Sequence, residues 1–110
     1  MRGGNTDLLV LSVLSREPLH GFAAIERIRV LSGGKLSFPE GTIYPLLHQL
    51  EREGFITSDW RVEAGRRRRL YRLTSAGRNR FKDRSASWQR TQSAIANVLR
   101  GGAADLRGEA

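Results

Sequence analysis

The sequence predicts a mainly α-helical domain carrying a small two-stranded antiparallel sheet and ending in one long helix. Three observations lead there. Residues 41–54 place Ile43, Leu46, Leu47 and Leu50 at i, i+3, i+4 and i+7, the spacing of one buried helical face, and close on Gly54, where a left-handed cap would end the helix. Two β-rich runs, 55–60 and 66–73, follow that stretch. Beyond them, Phe81, Trp88 and Ile95 repeat every seven residues, with Val98 and Leu99 extending the stripe.

In chain order, residues 1–5 read as a loose start. Asn5 or Thr6 can cap a first helix built from Leu8, Leu9, Val10, Leu11, Val13 and Leu14. Apolar groups wrap much of its circumference, so it should lie centrally, and Pro18 stops it. His20-Gly21-Phe22 opens a second helix with a stripe of Phe22, Ile25, Ile28 and Leu31; Glu26, Arg27 and Arg29 face out, and Ser32-Gly33-Gly34 ends it. Residues 35–39 turn the chain into a third helix starting near Glu40. Pro45 lacks an N–H and pushes Tyr44 away from helical angles, so some irregularity is expected there.

The outer face of the third helix carries Pro45, His48 and Arg52, flanked by Thr42, Tyr44 and Gln49. Hydroxyls, an imidazole, an amide and a guanidinium can hydrogen-bond phosphates or base edges, where a merely solvated face would hold Glu and Lys. Helix, short turn, helix outlines a helix-turn-helix, with residues 41–54 in the recognition position. In the second β run Tyr71 and Leu73 share one face, and Arg68, Leu70 and Arg72 the other; residues 61–65 look like the turn. Two strands after a helix-turn-helix make a wing, so the expectation is a winged helix-turn-helix plus one long C-terminal helix. Trp60, near the wing base, reads as ordinary packing, and no aromatic stacking surface is expected on the wing. The seam of the last helix is too sparse for an autonomous coiled coil and too apolar to be left in water. It should pack on a second copy, the alternative being that it folds back on its own domain. The division expected is 6–74, 75–100 and a small, polar, disordered tail at 101–110.

With 110 residues the chain holds one domain and an arm. A formal charge of +8, from 19 basic and 11 acidic residues, suits a polyanion, either nucleic acid or an anionic membrane. The absence of cysteine excludes disulfides and thiolate metal sites and fits a reducing cytoplasm. No secretion signal or membrane span is read in the sequence. Nothing favours catalysis, a metal or a cofactor. The two histidines, His20 and His48, lie on different elements, and no carboxylates show metal-ligand or acid–base spacing. Gly33-Gly34-Lys35 lacks the upstream glycine of a phosphate loop and has Leu36 where Ser or Thr is needed.

Several fragments then align in order: His20-Gly21-Phe22; Glu40-Gly41-Thr42-Ile43-Tyr44-Pro45-Leu46-Leu47; Leu50-Glu51-Arg52-Glu53-Gly54; Arg69-Leu70-Tyr71-Arg72-Leu73-Thr74; and Gly77. Through them the chain resembles the PadR family of winged-helix transcriptional regulators over residues 8–99. It departs at Phe22, where the family often has Tyr, and at Leu70, where an aromatic is common. The resemblance implies that Thr42 and Tyr44 contact DNA. It also implies that the chain belongs to the short subgroup that dimerises through a single C-terminal helix. Ala86-Ser87-Trp88-Gln89-Arg90 resembles the segment of multidrug-responsive members in which a tryptophan from each subunit lines a flat pocket at the dimer centre. Effector binding there would lower DNA affinity by changing the spacing of the two recognition helices.

His48, Gln49 and Arg52 are further DNA candidates from facing alone, and His20 could touch a phosphate. Arg66, Arg67 and Arg68 would reach the backbone or the adjacent minor groove. Phe81, Trp88, Ile95, Val98 and Leu99 would form the dimer contact, and Trp88 offers a face to aromatic compounds. The function expected is a cytoplasmic, homodimeric, sequence-specific regulator on an inverted-repeat operator in double-stranded DNA. It would be a repressor relieved by an aromatic small molecule. An RNA-binding winged helix and a protein-interaction adaptor working through the arm stay open beside it.

Overall fold

The computed structural model describes residues 4–102. The elements run α1 (Thr6–Arg16), β1 (Leu19–His20), α2 (Gly21–Leu31), α3 (Glu40–Arg52), β2 (Ile56–Glu63), β3 (Arg66–Leu73) and α4 (Ser75–Leu99). The sheet is antiparallel in the order β1-β3-β2. It therefore has three strands where the sequence predicted two. The missed strand is two residues long, too short to show any period, and pairs Leu19 with Tyr71 and His20 with Leu70. The hairpin is also tighter than expected. Pairing continues to Glu63–Arg66, leaving Ala64 (φ 52°) and Gly65 (φ 77°) as a two-residue turn. Two consecutive positive φ values match the right-handed twist of the flanking strands.

The core draws on every element before the arm: Val10, Leu11 and Leu14 of α1, Ile25 and Ile28 of α2, Ile43, Leu47 and Leu50 of α3, and Ile56, Tyr71 and Leu73 of the sheet. α1 is central, as its all-round apolar surface requires. Its cap differs from expectation: Asn5 occupies the N-cap without a side-chain bond, and Asp7 Oδ1 accepts from the Leu8 N–H instead, at 2.8 Å. The stripe of α2 is rotated relative to the sequence reading. Gly21, Ala24, Ile25 and Ile28 face inward, while Phe22 and Leu31 are exposed. The cause is steric, because the Tyr44 ring occupies the space a side chain at position 21 would need; a Cβ there would lie 2.5 Å from Tyr44 Cε1. With Gly21 turned in, the next residue, Phe22, points away.

α3 is continuous through Pro45, so the irregularity expected at Tyr44 does not break it. The one intrahelical donor lost is the N–H that would have met the Gly41 carbonyl. The helix closes as its sequence indicates. Gly54 has φ 84°, Phe55 N–H donates to the Leu50 carbonyl (3.0 Å) and Gly54 N–H to that of Glu51 (3.1 Å). This pairing satisfies carbonyls a helix end otherwise leaves open.

α4 starts on a built corner. The Thr74 hydroxyl accepts from Gly77 N–H at 3.0 Å and donates to the Gly54 carbonyl at 2.7 Å, and Thr74 N–H donates to the Phe55 carbonyl at 3.1 Å. The first half of α4 lies along α1. There Phe81 packs on the core, and Arg84 donates to both Asp7 carboxylate oxygens at 2.6 and 3.1 Å. The second half projects. The molecule measures 69 × 29 × 25 Å with a radius of gyration of 17.8 Å, against about 13 Å for a compact domain of roughly this length. Of the tail read at 101–110, residues 103–110 lie outside the described residues. Among the described residues no helix is long and apolar enough to cross a membrane.

Candidate nucleic-acid interface

α3 is held from beneath by Ile43, Leu47 and Leu50, which leaves Thr42, Pro45, His48, Gln49 and Arg52 exposed along its outer face. Tyr44 is different. Its ring is half-buried against Gly21, so it braces the start of α3 on the start of α2 while still lining the outer cleft. Gln49 Nε2 donates to Glu53 Oε2 at 3.2 Å, one turn along the same helix.

Across from this face stands the wing. Strand alternation places Ser58 and Trp60 of β2 with Arg67, Arg69 and Tyr71 of β3 on the side toward α3. A polar chain fixes the two elements together: Ser58 Oγ donates to Glu51 Oε2 (2.7 Å) and accepts from Arg69 Nε and Nη2 (3.0 and 2.7 Å), and Arg69 lies 3.5 Å from Glu51. Between α3 and the wing lies an open cleft of about 570 Å³, lined by His20, Tyr44, His48, Trp60 and Arg66 to Arg69 among others. The structure thus brings the candidates Tyr44, His48, His20, Arg66, Arg67 and Arg68 to one cleft. Thr42, Gln49 and Arg52 share the helix face outside it.

His20 is not a loose loop residue. Its Nδ1 lies 2.8 Å from the Arg69 carbonyl and its Nε2 3.0 Å from Glu63 Oε1. Both partners are acceptors, so the ring donates to the Arg69 carbonyl or to Glu63 and links β1 to the wing, and a phosphate approaching Nε2 would have to displace Glu63. Arg68 also leans on Glu63, at 3.9 Å, whereas Arg66 and Arg67 are exposed. On the wing's far face Arg72 donates to Asp59 at 2.6 Å, and that bond and charge hold the Asp59 carboxyl below its ordinary range. Burial pushes the Tyr71 phenol up.

Trp60 overturns two expectations. It is 52% exposed rather than packed, and it gives the wing an aromatic surface. The Arg67 guanidinium sits 4.4 Å from its ring centre and that of Arg69 4.9 Å. Sequence reasoning missed this because Arg67 and Arg69 meet Trp60 only through the strand register; Trp60 opposite Arg69, once the two-residue turn is known, would have found it.

Trp88, on α4, is 39% exposed. It lines a shallow groove of about 680 Å³ with Leu8, Leu9, Leu36, Phe38 and Phe81. Ile95 (46% exposed), Val98 (75%) and Leu99 (81%) present apolar surface on the second half of α4, whereas Phe81 packs on its own core. Among the described residues no three His, Cys, Asp or Glu side chains come together as a metal site.

Comparison with known proteins places this architecture. The family described as "Transcriptional regulator PadR-like family" matches residues 10–83. A transcriptional regulator of Mycobacterium tuberculosis, Rv3488, is 58% identical over 38 residues, covering 34% of this chain and 36% of that one. The Escherichia coli transcriptional regulator YqjI is 35% identical over 74 residues, covering 67% of this chain and 34% of its own. The matches thus span about a third of the length of each of these relatives. Among solved structures, a transcriptional regulator from Clostridium thermocellum superposes with a TM-score of 0.78 at 28% identity, over 84% of this chain and 91% of that one. A PadR family transcriptional regulator from Eggerthella lenta does so with 0.77 at 30%, over 89% and 84%. The family match over most of the winged domain, with the same fold in its solved members, means that this chain belongs to the PadR-like family of transcriptional regulators.

Proposed function

We propose that the chain works as a homodimeric, sequence-specific repressor on double-stranded DNA, relieved by an aromatic small molecule. The observation that carries this reading is the pairing of an exposed hydrogen-bonding helix face with a basic wing, braced to each other through Glu51, Ser58 and Arg69. A major groove admits one helix, and a wing beside it reaches the backbone or the neighbouring minor groove. On this reading Thr42, Tyr44, His48, Gln49 and Arg52 face the groove, and Arg66, Arg67 and Arg68 take phosphates. His20 steadies the wing. Two copies joined through the projecting half of α4 present two such heads to an inverted repeat. The apolar groove beside Trp88 supports a seat for the partner's Ile95, Val98 and Leu99. The family is one of transcriptional regulators, not enzymes, and the reading locates the protein in the cytoplasm, with the genome.

The test is an anisotropy titration against an operator found by genomic footprinting. Operator affinity should exceed that for random duplex by about a thousandfold or more; equal binding of the two overturns specific regulation. Competition with structured RNA separates the RNA-binding alternative, and a chain with no footprint anywhere would be an adaptor instead. For the effector, Trp88 emission in a Trp60→Phe background should shift or quench with a planar aromatic. Silence across a panel would leave Trp88 as packing.

A further inference from the structure

We infer that Trp60 belongs to the DNA-contacting surface, its indole packing on the sugar–phosphate strand that runs between α3 and the wing. The inference rests on the DNA-binding reading above and adds to it a residue that carries no charge. If α3 lies in a major groove and the wing reaches the next groove, the strand separating those grooves must pass through the cleft between them. Trp60 lies on that cleft, half-exposed, with Arg67 and Arg69 stacked at 4.4 and 4.9 Å. Val62, next toward the tip on the same side, is 71% exposed. Two guanidiniums beside an apolar strip fit a ligand that alternates anionic and apolar groups, and deoxyribose–phosphate does so at every step. The indole N–H adds a donor for a phosphate oxygen. The trio is also referenced to the reading helix, because Arg69 is bonded to Ser58 and lies against Glu51. On the α3 side the acidic groups are Glu40, which lines the cleft, and Glu51, which already lies against Arg69.

The experiment uses the full chain and a fluorescein-labelled mixed-sequence duplex at low salt. Anisotropy reports binding while tryptophan emission is recorded. Subtracting the response of Trp60→Phe from that of the unmodified chain at saturating duplex isolates Trp60 and leaves Trp88 in place. Contact predicts quenching of Trp60 and protection from acrylamide. It also predicts roughly tenfold weaker binding by Trp60→Ala, with unchanged circular dichroism and an unchanged salt slope, since no ion pair is removed. If anisotropy rises while Trp60 emission and acrylamide access stay put, Trp60 is outside the interface and the DNA reading survives. A shallower salt slope in Trp60→Ala overturns direct contact in favour of arginine positioning. No anisotropy change at all overturns the interface and Trp60's part together.

Discussion

Gly77 shows how narrow some single-residue requirements are. A Cβ there would stand 1.9 Å from the Phe55 carbonyl oxygen, which is backbone and cannot swing aside. Gly77→Ala should therefore push α4 off the end of α3 and destabilise the domain by roughly 1–3 kcal/mol or more, as overpacking does; urea unfolding reads it, and an unchanged midpoint would refute the close approach. Asp7 is the other residue with a defined consequence. Burial pushes its carboxyl up, but the hydrogen bond and charge of Arg84, the Leu8 N–H and the charge of Arg80 outweigh that and leave it below its ordinary value. A carboxyl depressed in the folded state stabilises above its unfolded pKa, and that stability is lost as pH falls through the folded one. Asp7→Asn should cost roughly 1–2 kcal/mol at neutral pH, and the gap to the unmodified chain should close on acidification. Thermal melts across the acid range check the sign.

At the scale of elements, the wing and α3 act as one unit. The two-residue turn brings Arg66 and Arg67 to the very tip, and His20 and Arg69 hold the base. Arg67→Ala with Arg68→Ala should lower duplex affinity at low salt and reduce the salt slope, by up to about one for each phosphate contact removed. A slope that does not move takes the wing out of the interface. Arg68 should contribute less than Arg67, because Glu63 already lies 3.9 Å away. α2 teaches the limit of period counting. Phe22 and Leu31 fit a stripe on paper, but the face that packs is the one whose small residue admits Tyr44.

At the scale of the whole molecule, the projecting half of α4 is the feature that asks for a partner. Three exposed apolar side chains on a helix that extends the chain to 69 Å cannot be covered by their own domain. Val98→Asp with Leu99→Asp should shift the protein to monomer in sedimentation velocity and, by removing the second reading head, weaken operator binding far more than random-duplex binding. A double variant that stays dimeric would place the interface elsewhere. Phe81→Ala should behave differently and act mainly on folding, since that ring lies on its own core.

The sequence by itself determined the helices, the glycine cap of α3 and the basic hairpin. Each is written in local chemistry: the apolar spacing of Ile43, Leu47 and Leu50, Gly54 at a left-handed cap, and five arginines in the strand beginning at Arg66. The tertiary structure alone decided β1, the inward turn of Gly21, the binding of His20 to Glu63, and the stacking of Arg67 and Arg69 on Trp60. Those depend on groups far apart in the chain arriving at one place, which is set by packing and strand register and leaves no period for a local pattern to record.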